Sequence, residues 1–252
     1  MSYIDTDIVV KDLTIAYNDY LLLHNINFTV KKGDIFIIMG GSGCGKSSLL
    51  KILTGLKEPT SGKVFINGCD FWNVKERVRK KIMRRTGILY QSGALFSSMT
   101  LGENVALPLQ QYTNYSQSDI DDIVSLKLSL VGLTGFEDFY PSEISGGMKK
   151  RAGLARALAL DPTILYFDEP SAGLDPISSK MLDDLIIEIN QTLGTTIVIV
   201  SHELESIFNI GTNSIFLDTE SKTLIAKGNP KELLYTSKNK KVLNFLRRES
   251  NI

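Results

Sequence analysis

Two short stretches of this chain carry side chains that could do phosphate chemistry together. The first reads Gly40, Gly41, Ser42, Gly43, Cys44, Gly45, Lys46, Ser47, a glycine, four residues, then Gly-Lys-Ser. Small residues let consecutive backbone N–H groups curl around phosphate oxygens, and a helix opening there adds partial positive charge. Lys46 would then reach the two outer phosphates of a nucleotide, with the Ser47 hydroxyl on Mg²⁺. The second stretch, Ile164, Leu165, Tyr166, Phe167, Asp168, Glu169, is an apolar strand ending in two acids. A carboxylate at the C-terminal end of a parallel strand beside a phosphate loop is placed to hold the metal, which is the role for Asp168. Glu169 then becomes the general base that polarises an attacking water, a contribution of about 10²- to 10⁴-fold.

A third stretch, Ser145, Gly146, Gly147, Met148, Lys149, Lys150, Arg151, sets a serine and two glycines at the start of a helical pattern, a second anion-binding nest. His202 directly follows an apolar strand, while His24 fits no motif. Cys44 and Cys69 make neither a metal spacing nor a disulfide framework, which suits a reducing compartment.

Positioning these groups requires an alternation of strands and helices. Ile8 to Val10, Ile26 to Val30 and Ile35 to Met39 read as strands, the last apolar on both faces as a buried parallel strand should be. The pattern turns helical from Gly45 to Thr54, so the glycine stretch joins a strand to a helix. Lys63 to Ile66 and Thr86 to Tyr90 add short strands. Ser98 to Leu160 holds no convincing strand but several helical patterns, notably Gln117 to Val131 and Met148 to Leu160. The sheet resumes at Ile164 to Phe167, continues through a helix from Ser178 to Thr192, and reaches the strand Thr196 to Val200, a βαβ unit with parallel pairing. A short helix, strands near Asn213 to Leu217 and Thr223 to Ala226, and a helical segment from Pro230 follow.

Composition narrows the class. Hydrophobic residues at 43% and charged residues at 22% are globular values. A formal net charge of zero argues against nucleic acid as a partner. Seven basic residues between Lys75 and Arg85 face one acid, Glu76, and read either as a solvated helix face or as a contact for a partner or anionic lipid. No basic-then-apolar leader opens the chain, and no apolar run reaches the roughly 18 residues of a membrane span, so membrane contact is expected through partners.

In place and order, these motifs resemble the ATPases of ABC transporters over nearly the whole chain. The resemblance implies an α/β P-loop NTPase with a mostly parallel central sheet, an N-terminal antiparallel β-subdomain and an inserted α-helical subdomain. It divides a single domain into a nucleotide-binding core at 1–97 and 161–228, helices at about 98–160, and a helical tail at about 229–252. It implies ATP cradled by Gly40 through Ser47 together with Ser48, adenine stacked on Tyr17, and Mg²⁺ held by Ser47, Asp168 and Gln91. Catalysis would rest on Glu169, His202, Gln91 and Lys46. Ser145, Gly146 and Gly147, with Asp175 of the stretch Ser171 to Asp175, would act across a homodimer on ATP held by the opposite subunit. The family's glutamine after the two glycines is Met148 here, and a thioether cannot donate a hydrogen bond.

The stretch Leu89 to Thr100 and the Met148 variant further resemble the branch that powers MCE-type lipid transport. That branch implies integral membrane permease subunits, an MCE-domain substrate-binding protein, a small STAS-type accessory subunit, and a peripheral position on the cytoplasmic side of the inner membrane. Leu95, Phe96 and Met99 are then expected to line or support a groove for a permease helix. An amino-acid or lipoprotein transporter is the nearest rival, and a soluble ABC ATPase of repair or translation the more distant one.

Overall fold

The structure is a computed structural model that describes residues 5–248. It contains two sheets. The first is antiparallel, ordered β2-β1-β4-β5, from β1 (Thr6–Tyr17), β2 (Tyr20–Lys31), β4 (Ser61–Ile66) and β5 (Cys69–Asp70). β1 and β2 are 12 residues each, far longer than the segments the sequence marks. Register shifts on either side of Leu13, and Asp12 at φ 47°, break the two-residue alternation on which a sequence reading relies.

The second sheet is ordered β10-β9-β3-β8-β7-β6. Its parallel strands are β3 (Ile35–Gly40), β6 (Thr86–Leu89), β7 (Ile164–Asp168), β8 (Thr196–Val200) and β9 (Asn213–Asp218), while β10 (Thr223–Gly228) pairs antiparallel at the edge. Every residue of β3 and β8 is buried. Ile35, Ile37 and Met39 enter one core against the helices, and Phe36 and Ile38 enter the other, shared with the antiparallel sheet and α1 (Lys46–Leu53). Two-sided burial explains why these strands are apolar apart from Thr196 at the start of β8.

Helices α3 (Leu101–Tyr112), α4 (Gln117–Leu130) and α5 (Gly146–Ala157) fill the interval between β6 and β7. Thr100 and Glu103 form a capping box at α3, and Ser116 and Asp119 form another at α4. Ser145 caps α5, so that helix starts two residues before Met148, and it ends at Ala157, ahead of Asp161 and Pro162. The remaining helices are α2 (Glu76–Met83), α6 (Pro176–Leu193), α7 (Leu204–Ile210), α8 (Pro230–Thr236) and α9 (Lys240–Arg247). Among the described residues no helix is long and apolar enough to cross a membrane.

α5 lies close on β6 because Gly87 has no side chain. A Cβ there would collide with the Ala157 carbonyl and the Leu165 side chain. We predict that Gly87→Ala destabilises the fold by ~1–3 kcal/mol, the usual penalty of overpacking. Urea unfolding should show a lower midpoint at unchanged slope, and an unchanged midpoint would mean that α5 is free to shift.

Candidate active site

Strand register builds the site. Ile38 on β3 and Asp168 on β7 both pair with Val200 on β8, so the three carboxyl ends stand level. The loop after β3, the acids ending β7 and the histidine after β8 therefore open into one cleft of about 590 Å³, lined by Gly40 to Gly43, Gly45 to Ser48, Gln91, Asp168, Glu169, His202, Leu22 and Phe245. Gly40 stands at φ 149°, and a Cβ on it would strike the Leu217 carbonyl and the Cys44 sulfur. Cys44 is buried beneath the loop, where burial pushes its thiol pKa up and leaves it a poor nucleophile. Gly45, at φ 99°, caps α1 and aims the helix N-terminus into the cleft. Lys46 Nζ lies along the loop, donating to the Gly40 and Gly41 carbonyls at 2.9 and 3.0 Å.

The two acids sit in unlike surroundings. Burial raises the Asp168 pKa, the Glu169 charge raises it further, and the Ser47 hydrogen bond only partly opposes this. Its Oδ1 is buried without a hydrogen-bond partner. A desolvated oxygen beside a serine hydroxyl and the Gln91 amide is a fitting donor set for a small hard cation that keeps most of its waters. Among the described residues no group of three or more His, Cys, Asp or Glu could hold a metal on its own. Glu169 has φ 50° and donates its N–H to the Val200 carbonyl at 2.9 Å. Its Oε2 lies 2.7 Å from His202 Nδ1, an electrostatic contact whose angle falls short of a hydrogen bond.

Four other sequence-marked residues stand away from this cleft. Ser145 Oγ accepts from the Met148 N–H at 3.3 Å, and Gly147 faces Ser178 across the start of α6. Asp175 caps α6 by accepting from the Ile177 and Ser178 N–H groups at 3.1 and 3.0 Å. Hydrogen bonds from Ser178 hold its carboxyl below the usual range. Ser145, Gly146 and Gly147 thus share a ledge with Asp175, and none of the four lines the cleft of the phosphate loop. Tyr17 sits at the cleft's rim, its hydroxyl 3.0 Å from Ser48 Oγ and one ring face under Lys57 Nζ at 3.7 Å from the centroid.

Leu22 and Phe245 line the cleft without any sequence motif to mark them. Phe245 arrives because α9 folds back on the sheet: its ring packs edge-on to Phe216 at 5.1 Å, and Lys241 pairs with Asp218 and Glu220 at 2.9 and 2.7 Å. Only the amphipathic pattern of α9 could have pointed there.

A separate apolar groove of about 800 Å³ lies between the sheet and the helices, with Tyr90, Ala94, Phe96, Leu107 and Pro108 in its walls and Lys80, Arg84 and Arg156 at its polar positions. Phe96 is half exposed in it. Leu95 instead packs against the helical core, and Met99 lines a different hollow beside Thr100 and Glu103. Of the three residues expected to line or support the groove, Phe96 lines it, while Leu95 and Met99 do not.

Residues 23–172 match the ABC transporter family. The chain is 41% identical over 97% of its length, and 91% of the relative's, to the Haemophilus influenzae intermembrane phospholipid transport system ATP-binding protein MlaF. It is 42% identical over 95% of its length to the probable ribonucleotide transport ATP-binding protein mkl of Mycobacterium tuberculosis, and spans 66% of that protein. Among solved structures, cbiO1 from Clostridium perfringens, part of the transporter complex cbiONQ, superimposes with a TM-score of 0.84 at 28% identity over 97% of each chain. The cassette MJ0796, solved as a dimer after hydrolysis with ADP and Pi, gives 0.79 at 29% identity over 88% of this chain and 98% of that one. A phosphate loop, two acids and a histidine meeting in one cleft, on a fold shared with these cassettes, make this chain a member of the ABC transporter family and its ATP-hydrolysing subunit.

Proposed function

We propose that two copies of this chain close head to tail around two ATP molecules, couple hydrolysis to an integral membrane permease, and drive phospholipid transport at the inner membrane. The observation that supports the dimer is that Ser145, Gly146, Gly147 and Asp175 do not line the phosphate-loop cleft of their own chain. A second copy that presents this ledge to the first copy's cleft would complete the site. The cargo reading rests on similarity to MlaF over almost the full length of both proteins. On the same similarity we propose an MCE-domain protein and a STAS-type subunit as further partners.

Within each composite site Lys46 and the loop's N–H groups hold the outer phosphates, and Tyr17 offers its free face to adenine. Mg²⁺, held by Ser47, Asp168 and Gln91, would neutralise charge developing on the transferred phosphoryl group. Glu169 orients and deprotonates the attacking water. His202, half exposed and against Glu169, is placed to contact the γ-phosphate and steady the base. The apolar groove with its cationic positions suits a permease helix that is apolar on one face and carries an acidic residue.

Four outcomes test this reading. Glu169→Gln should retain ATP while slowing hydrolysis by at least about 10²-fold, and turnover within twofold of the parent would assign water activation elsewhere. Ser145→Arg should leave nucleotide affinity of the single subunit unchanged yet block closure, so that a mixed dimer with one altered chain keeps one working composite site; loss of ATP from the altered monomer would place the ledge in cis. Phe96→Asp should abolish copurification with the permease while the subunit still folds and binds ATP. Mass spectrometry of the parental complex should find phospholipid, and recovery of ribonucleotide in its place would move the cargo to that of the mycobacterial relative.

A further inference from the structure

The backbone that carries Glu169 is strained. A non-glycine residue at φ 50° is uncommon, and a following proline pushes its predecessor toward extended backbone. Such a conformation persists only where the surroundings over-determine it. On one side it is pinned by the Glu169 N–H to Val200. On the other, Pro170 has no N–H to offer, and the turn that follows is closed only by long bonds from Ala172 N–H to the Glu169 carbonyl at 3.2 Å and from Leu174 N–H to the Ser171 carbonyl at 3.1 Å.

The missing restraint comes from α5. Lys150 is nine-tenths buried, with 6% of its surface exposed. Its ammonium donates to the Pro170 and Ala172 carbonyls, each at 2.6 Å. These are short charge-assisted bonds, about twice as strong as neutral ones. Burying an ammonium is expensive unless its donors are satisfied. A methionine or leucine would fill the space without that penalty, so the charge at this position implies a demand for donors. Desolvation lowers the Lys150 pKa and the nearby Glu169 charge raises it, which places the two groups in one electrostatic environment.

We infer that Lys150 is a positioning residue for hydrolysis: by fastening the Pro170 and Ala172 carbonyls of the loop after Glu169 to α5, it holds the base in its strained conformation at the cleft. The inference rests on the assignment of Glu169 as the base. Because Lys150 lies one turn along the helix that Ser145 opens, a movement of the ledge is passed to the base through this side chain.

The test uses the full-length chain, with ATP affinity measured in Mg²⁺ buffer, kcat measured in the assembled transporter, and backbone hydrogen exchange followed over residues 171–174. Lys150→Met keeps the stem and removes the donors. It should lower kcat at least about tenfold, roughly what losing a charge-assisted bond implies, and accelerate exchange in the loop by a similar factor, with ATP affinity within twofold of the parent. Lys150→Gln, which restores two N–H donors without charge, should recover most of both. Should the methionine variant fail to fold, the glutamine variant is read alone. Loop protection and kcat falling together in the methionine variant, or by the same factor in the glutamine variant when it is read alone, support the inference, and both holding at the parental value overturns it. Loop exchange rising while kcat holds, kcat falling while the loop stays protected, or ATP affinity falling in step with kcat overturns it. Glu169→Gln in the parental background separates the two readings: if that change leaves hydrolysis intact, the base assignment fails whatever Lys150 does.

Discussion

The level register of β3, β8 and β7 is the constraint from which the site follows. With Ile38, Val200 and Asp168 side by side, any residue one or two positions beyond the sheet arrives at the same cleft, whatever its place in the sequence. Parallel strands make this possible, because all their carboxyl ends point one way and the crossover helices are returned to the opposite edge. A slip of one residue on β7 would turn Asp168 toward the opposite core and break the alternation of Leu165 and Phe167 with Ile164 and Tyr166. Hydrophobic burial on both faces therefore fixes catalytic geometry as firmly as it fixes the fold.

That geometry works against stability at Asp168. A carboxyl whose pKa is raised by folding contributes its stability below the unfolded carboxylate range, and that contribution is lost as pH rises through the raised value. At neutral pH the buried, partnerless oxygen is a deficit. A divalent cation at the proposed metal site would offset it, so that metal and nucleotide binding would draw on an imbalance already built into the folded chain. The left-handed backbone of Glu169 is a second such imbalance, one residue away and held by hydrogen bonds instead of a metal.

Much of this was legible in the sequence because it is local. The phosphate loop, the two acids and the strand before His202 are contiguous patterns, and contiguity survives folding. The central strands were legible too, since two-sided burial writes an unbroken apolar run. What escaped was whatever depends on distant segments meeting. Phe245 reaches the cleft through a fold-back of α9 that the Lys241 pairs with Asp218 and Glu220 help secure, and no motif records that contact. Leu95 and Met99 look equivalent to Phe96 in composition, yet the three side chains go to different places. Thr100 and Glu103 carried a readable helix start, the capping box, that attention to apolar periodicity passed over. Lys150 stood in plain sight within a basic triplet, where nothing local distinguishes a buried lysine from a solvated one.

Helix α5 gives these pieces a mechanical relation. At about 1.5 Å per residue, its 12 residues span about 18 Å. Ser145 stands at its first turn, Lys150 holds the loop after Glu169 near its middle, and Arg156 near its end donates to the Gly93 and Ala94 carbonyls at 3.1 and 2.8 Å. Gly153 packs so closely on Gly93 that a Cβ would press the carbonyl at 2.8 Å. The chain between Gln91 and the groove is thereby fixed to the same rod as the ledge and the base loop. Close-packed interiors move as units and not by continuous deformation. On the proposed reading, a partner that displaces the groove wall at Phe96 would carry α5 with it, and with α5 both the ledge offered to a second copy and the tether on Glu169. One helix tied to backbone carbonyls at two points, Lys150 and Arg156, would then be enough to make docking, dimer closure and base placement a single coordinate.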